Sequence, residues 1–140
     1  MATWQFDVQL YRQALDEPLP ASTREAAEHL LPLLFGVGDE MLDRWFVFGS
    51  EVGNRVDLLV LDDGGCEIHA RFDARASETD GFVRDTCKLA SALDCSLFSA
   101  ELHEVLQPTP ASVLDALKRS AAWRYAVDPA AFLGSLRNSP

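Results

Sequence analysis

The stretch CEIHARFDAR, Cys66 to Arg75, constrains the fold more than any other, because its alternation fits a strand and no helix. Small or apolar side chains fill every even position (Cys66, Ile68, Ala70, Phe72, Ala74), and ionisable ones fill every odd position (Glu67, His69, Arg71, Asp73, Arg75). Successive strand residues point to opposite faces, so this is a strand with one dry face and one wet face. A sheet built on it keeps its core on one side.

Further runs supply that sheet. WQFDVQL alternates Trp4, Phe6, Val8 and Leu10 with Gln5, Asp7 and Gln9, and RWFVFG (44 to 49) and RVDLLVL (55 to 61) precede CEIHARFDAR, separated by the turn formers SEVGN and DDGG. The last three read as an antiparallel meander. SLFSAEL, with Phe98, Ala100 and Leu102 on one side, reads as a fifth strand that extends through His103 to Val105.

Helices fall between and after these runs. Ser22 with Glu25 makes a capping box for a first helix that carries Ala26, Ala27, Leu30, Leu31, Leu34 and Phe35 towards Gly36. Pro32 lies inside it and predicts a kink there or a stop one residue earlier. A second helix begins near Ser77 or Thr79, with Phe82, Val83, Cys87, Ala90 and Leu93 on one stripe. Thr109 and Pro110 open a third along Val113, Leu114, Leu117 and Ala121, Asp128 and Pro129 open a short last one, and RNSP frays beyond it. The expected fold is α+β: one two-layer domain over 1–140 in the order β-α-β-β-β-α-β-α-α. Its single antiparallel sheet has about five strands and helices on one face, and a helical segment at 109–140 packs on it.

With 140 residues, 48% of them hydrophobic, the chain has the material for one closed core. Twelve basic residues against 22 acidic ones give a net charge of −10, which repels a phosphate backbone and favours encounter with a basic protein. Nucleic acid is not an expected partner. No apolar run approaches the roughly 20 residues of a spanning helix, and MATWQFDVQL lacks the pattern of a signal peptide, so no membrane partner and a cytoplasmic location are expected. Cys66, Cys87 and Cys95 form no CxxC pair, and Cys66 and Cys87, on apolar faces, read as small buried hydrophobes.

Pairing 55–61 with 66–75 so that Val60 meets Ile68, Leu58 meets Ala70 and Val56 meets Phe72 builds a continuous core face. That register also sets Asp57 opposite Arg71 and Arg55 opposite Asp73, two favourable cross-strand pairs, whereas a slide of two residues puts Arg55 against Arg71. Leu59 and Leu61 fall on the wet side beside Glu67 and His69. Either a tail helix covers them or they form an apolar patch rimmed by charge, the usual look of a protein-binding surface. Trp45 is out of phase with Phe46 and Phe48 and joins that face. Trp123 and Tyr125 close the core between the last helices or anchor a partner.

Enzymatic signals are thin. A site on the polar face from Glu67, His69, Glu101 and His103 requires the fifth strand to lie beside the third strand of the meander, and no HxH or HExxH spacing supports a metal. His29 reads as a surface residue, GSEVG lacks the order of a nucleophile elbow, DDGG reads as a tight hairpin, and there is no glycine-rich phosphate loop. No cofactor is expected. The leading expectation is a non-enzymatic acidic module that binds a basic protein, most concretely an immunity-type protein neutralising a bacterial toxin. Its partner-binding residues would be Trp45, Asp57, Leu59, Leu61, Glu67, His69 and Asp73. The alternatives are a chaperone for a secreted effector, a small-ligand or metal-dependent enzyme on the same face, and a subunit that self-associates as a homodimer. On the leading reading, Lys at positions 57, 67 and 73 leaves the fold intact and slows association in a salt-dependent way.

Overall fold

The computed structural model describes residues 3–137, with the side chains of 132 and 135–137 left aside. The fraying expected of RNSP falls, past Arg137, outside the described residues. The elements are β1 (Gln5–Tyr11), α1 (Ala21–Phe35), β2 (Asp39–Leu42), β3 (Trp45–Gly49), β4 (Arg55–Val60), β5 (Cys66–Asp73), α2 (Thr79–Ala92), β6 (Ser96–Ser99), β7 (Glu104–Leu106), α3 (Pro110–Arg119), α4 (Ala121–Val127) and α5 (Pro129–Arg137). The fold is α+β with one antiparallel sheet, ordered β2-β3-β4-β5-β1-β6-β7. It has seven strands where about five were expected.

The core forms where the alternation places it. Phe6, Val8, Leu10, Phe48, Val56, Leu58, Cys66, Ile68, Ala70, Phe72 and Leu97 are buried from the sheet. Leu31, Val83, Cys87, Leu89, Val113, Leu117 and Ala122 meet them from the helices. α1 and α2 lie against β3, β5 and β6, α3 against β7, and α4 against β1. Trp123 packs against this core and the Tyr125 ring lies 6.4 Å from that of Trp4, so the tail aromatics close the helical layer.

Two strands were not legible. Asp39–Leu42 is exposed along its whole length and has no apolar alternation to announce it; a tight turn at Asp43 and Arg44, with Arg44 at φ 65, folds it onto β3. At the other edge the chain does not continue through His103. His103 takes φ 52 and reverses it into β7, which pairs back on β6. The phase of β6 is also opposite to expectation: Leu97 and Ser99 are buried and Phe98 faces outward, because Leu97 pairs with the core residue Leu10.

The first helix departs from both of its expected ends. It starts at Ala21 behind Pro20, with no side-chain cap, so Ser22 already lies inside it. Leu19 is bridged to Cys66 through N–H to O bonds of 2.8 and 2.9 Å, and this pins the chain entering the helix to the sheet. The helix also runs on through Pro32 to Phe35. Leu31 is fully buried before the proline and Phe35 packs on the core after it, while the Gly36 N–H donates to the Pro32 carbonyl. This packing offsets the hydrogen bond that proline removes. By contrast the third start is as read: Thr109 caps Ser112 and Pro110 follows. Its stripe is divided by Ser120, which accepts from Trp123 N–H and starts α4.

The β4–β5 register is slid by two residues from the expected one. Leu58 faces Ile68, Val56 faces Ala70, Asp57 faces His69 and Arg55 faces Arg71. The turn decides it. Leu61 and Gly65 bracket a three-residue loop, with Leu61 N–H on the Gly65 carbonyl and Gly64 at φ 89, a geometry that only glycine adopts cheaply. The like-charge contact is tolerated because each guanidinium has its own carboxylate elsewhere: Arg55 on Asp57 in its own strand, Arg71 on Asp7 of β1.

All three cysteines are buried and free. Burial pushes the Cys66 thiol up to about 12 and those of Cys87 and Cys95 to about 11, from an ordinary 9.0. A raised folded pKa means that the native state holds protons which the unfolded chain releases. The associated stability is complete below about 9 and is lost as pH rises towards the folded values. Urea midpoints are expected to fall between pH 8.5 and 10.5, and a Cys87→Ala variant should fall less steeply than the parent. All three thiols should resist alkylation at pH 8 until denaturant is added; fast labelling of the native protein would contradict their burial.

Candidate functional site

On the face opposite the helices the sheet's polar side chains gather in rows. One row runs across all seven strands: Asp39, Val47, Asp57, His69, Gln9, Phe98 and Val105. Beside it lie Leu42, Trp45, Leu59 and Glu67, and on the other side Arg55, Arg71 and Asp7. Trp45, Asp57, Leu59, Glu67 and His69 therefore come together as expected.

On β1, β4 and β5 the charges within these rows are paired. Asp57 receives Arg55 through Nε at 2.8 Å and Nη2 at 2.7 Å, and its second oxygen also accepts from Trp45 Nε1 at 3.1 Å. The Arg55 guanidinium lies 5.9 Å from the centre of the Trp45 ring. The Arg55 and Asp57 side chains are only 12% and 16% exposed, so this triad is a rigid support and not a free charge. Arg71 donates to Asp7 at 3.0 Å, and His69 Nε2 lies 3.5 Å from Glu67. Between Asp7, Asp57, His69 and Arg71 is a depression of about 170 Å³. Small-molecule sites run to roughly 300–1,000 Å³, so the shape suits a macromolecular surface better than an enclosed substrate.

Two residues of the expected site change role. Leu61 lies past the end of β4, in the hairpin that sets the register. Asp73 is 5% exposed and belongs to a buried polar knot. Its N–H donates to Asn54 Oδ1, its carbonyl accepts from Thr79 Oγ1 at 2.6 Å, and its carboxylate takes Arg75 through backbone N–H, Nε and Nη2. The knot is at the wall of a groove of about 540 Å³ between the end of α1, the β3–β4 loop and α2, away from the rows of the open face. Lys at 57 or 73 is therefore a structural lesion, which corrects the expectation that such a charge reversal spares the fold. Nor does the proposed quartet assemble. β1 lies between β5 and β6, His103 is in the β6–β7 turn, and Glu101 accepts from the Ala121 N–H. No group of three or more His, Cys, Asp or Glu able to hold a metal occurs among the described residues.

Leu59 is half-buried between Trp45 and Glu67, out of phase with the core residue Leu58, and the tail helices α3 and α4 lie against β7 and β1. The residues that sequence reasoning missed are those next to Leu59. β2 and the turn after it bring Asp39 and Asp43 with exposed Met41 and Leu42 to the same corner, where Leu42 pairs with Trp45, while Glu40 pairs with Phe46 on the other face of the strand. Segments 39–44 and 61–65 together carry five carboxylates against one guanidinium, that of Arg44, which pairs with Asp62. The signal was the acidic run in GVGDEMLD, hidden because it has no period. No helix among the described residues is long and apolar enough to cross a membrane. Comparison with protein-family models, curated proteins and solved structures gives no match.

Proposed function

We propose that this chain is a non-enzymatic protein-binding module that takes a basic partner on the open sheet face, centred on the corner where β2, β3 and β4 meet. The observation that carries the reading is the row Leu42, Trp45 and Leu59 on the face opposite the core, flanked by Asp39 in the next row, by Asp43 in the turn after β2 and by Glu67 on β5. Apolar and aromatic anchors inside a charged rim are the anatomy of an interface, and a one-signed rim speeds encounter with a partner of opposite sign. An immunity-type protein that neutralises a bacterial toxin is the concrete form of this reading. It is supported by size, acidity and a broad, flat face, by analogy and not by motif. Cytoplasmic placement belongs to the same proposal.

The test is co-purification from native lysate at about 50 mM salt, where exposed charges are weakly screened. One stoichiometric basic protein is expected. Trp45→Ala with Leu59→Ser should weaken the complex by about 2 kcal/mol for the aromatic anchor, roughly thirtyfold in Kd, with circular dichroism unchanged. A partner held equally well by this variant, or no partner at all, refutes the assignment.

A further inference from the structure

β2 is an outer strand, so one side of its backbone pairs with β3 and the other has no strand beside it in the sheet. All four of its residues are exposed, including Met41 at 37% and Leu42 at 67%, and ahead of it Leu33 near the end of α1 and Val37 in the α1–β2 turn are exposed at 71% and 93%. Such an edge is a template for another chain. Proteins blunt it by brevity, bulges and charge, and β2 has all three: four residues, a register shift between Glu40 and Leu42, and the carboxylates of Asp39 and Glu40, with Asp43 next to it in the turn.

The charge is the informative part, because it has a single sign. Two copies of β2 paired edge to edge would crowd Asp39 and Glu40 of each, with Asp43 just beyond the strand, beside the same carboxylates of the other, and like charges brought together across a strand pair are destabilising. The edge is thus closed to its own copy, while an extended segment carrying lysine or arginine finds carboxylates and apolar side chains along the same few residues. Resting on the reading of a basic partner at this corner, we infer that β2 takes a basic, partly apolar extended segment of that partner by strand addition. Main-chain hydrogen bonds would supply affinity, and the carboxylates and Met41 and Leu42 would supply selectivity.

The probe is a blocked decapeptide of alternating lysine and valine, titrated into the full chain while amide hydrogen exchange and Trp45 fluorescence are followed. The expected result is exchange slowed at least tenfold at amides within 39–42, binding that weakens with salt, and no binding of the glutamate–valine counterpart. Asp39→Lys, Glu40→Lys and Asp43→Lys together should lower affinity at least tenfold with the rest of the amide spectrum unchanged. The neutral set Asp39→Asn, Glu40→Gln and Asp43→Asn should give an intermediate loss if the reversal disturbs the turn at Arg44. A change at Trp45 without protection of 39–42 overturns strand addition and leaves the open-face reading standing; silence at both positions overturns both. Protection of 39–42 without peptide, rising with protein concentration, would identify a second copy as the occupant and also overturns the inference.

Discussion

Replacing Phe72 by alanine is expected to cost about 4 kcal/mol, as for other large aromatic side chains removed from a closed core. The ring is fully buried. It stacks on Phe6 at 6.4 Å between centroids and meets Phe82 edge-on at 6.1 Å, so it joins β1, β5 and α2 at one point. Deletion opens a void between a sheet and a helix that cannot both collapse onto it. Against a total stability of about 5–15 kcal/mol, that is a large fraction, and thermal unfolding should move down by roughly 10 °C. A shift of under about 3 °C would show that the sheet–helix contact at this end is loose and that the core is centred elsewhere.

Phe72 also shows why the sheet was legible. Its row in CEIHARFDAR has a side-chain period of two, and every even residue from Cys66 to Phe72 is buried to within 1% exposure. Period is a local property and survives any arrangement of neighbours, so the strands at 5–11, 45–49, 55–60 and 66–73 were visible with the face each buries. Register is not local. The pairing that maximised charge complementarity between two strands lost to a turn with glycine at φ 89 and to a third strand, β1, whose Asp7 neutralised the Arg71 that seemed to forbid it. Edge strands are illegible for a different reason: β2 buries nothing, so selection for a core leaves no mark on Asp39–Leu42.

The candidate site was legible in outline only. Trp45, Leu59, Glu67 and His69 reach the open face because phase alone puts them there. What phase cannot say is which charges are free. Asp57 was read as available to a partner, yet it is committed to Arg55 and Trp45 within its own neighbourhood. Asp39 on the strand that had no period and Asp43 in the turn after it carry no such ion pair, and Glu40 accepts only the Arg44 N–H, which moves the centre of the proposed interface from the middle of the sheet to its β2 corner.

Asp73 gives the sharpest separation between a surface charge and a structural one. Its odd position in CEIHARFDAR places it with the wet row, and a surface carboxylate there would accept lysine at almost no cost. The structure instead predicts that Asp73→Lys destabilises by about 3 kcal/mol or more, because an ammonium would replace a carboxylate in a site only 5% exposed and would face the Arg75 guanidinium. The same knot holds Asn54, which accepts from the Asp73 N–H at 2.8 Å and donates to Thr79 at 3.1 Å. Asn54→Ala strands the buried Asp73 N–H and removes a donor from the Thr79 hydroxyl, which keeps its bond to the Asp73 carbonyl, for an expected loss of about 2 kcal/mol. Since the two residues share hydrogen-bond partners, their losses should fall short of additive in the double variant, and the shortfall measures the knot. Chemical denaturation of the two single variants and the double decides the matter. Strict additivity, or an Asp73→Lys protein as stable as the parent, would return Asp73 to the surface row and to the list of residues a partner can touch.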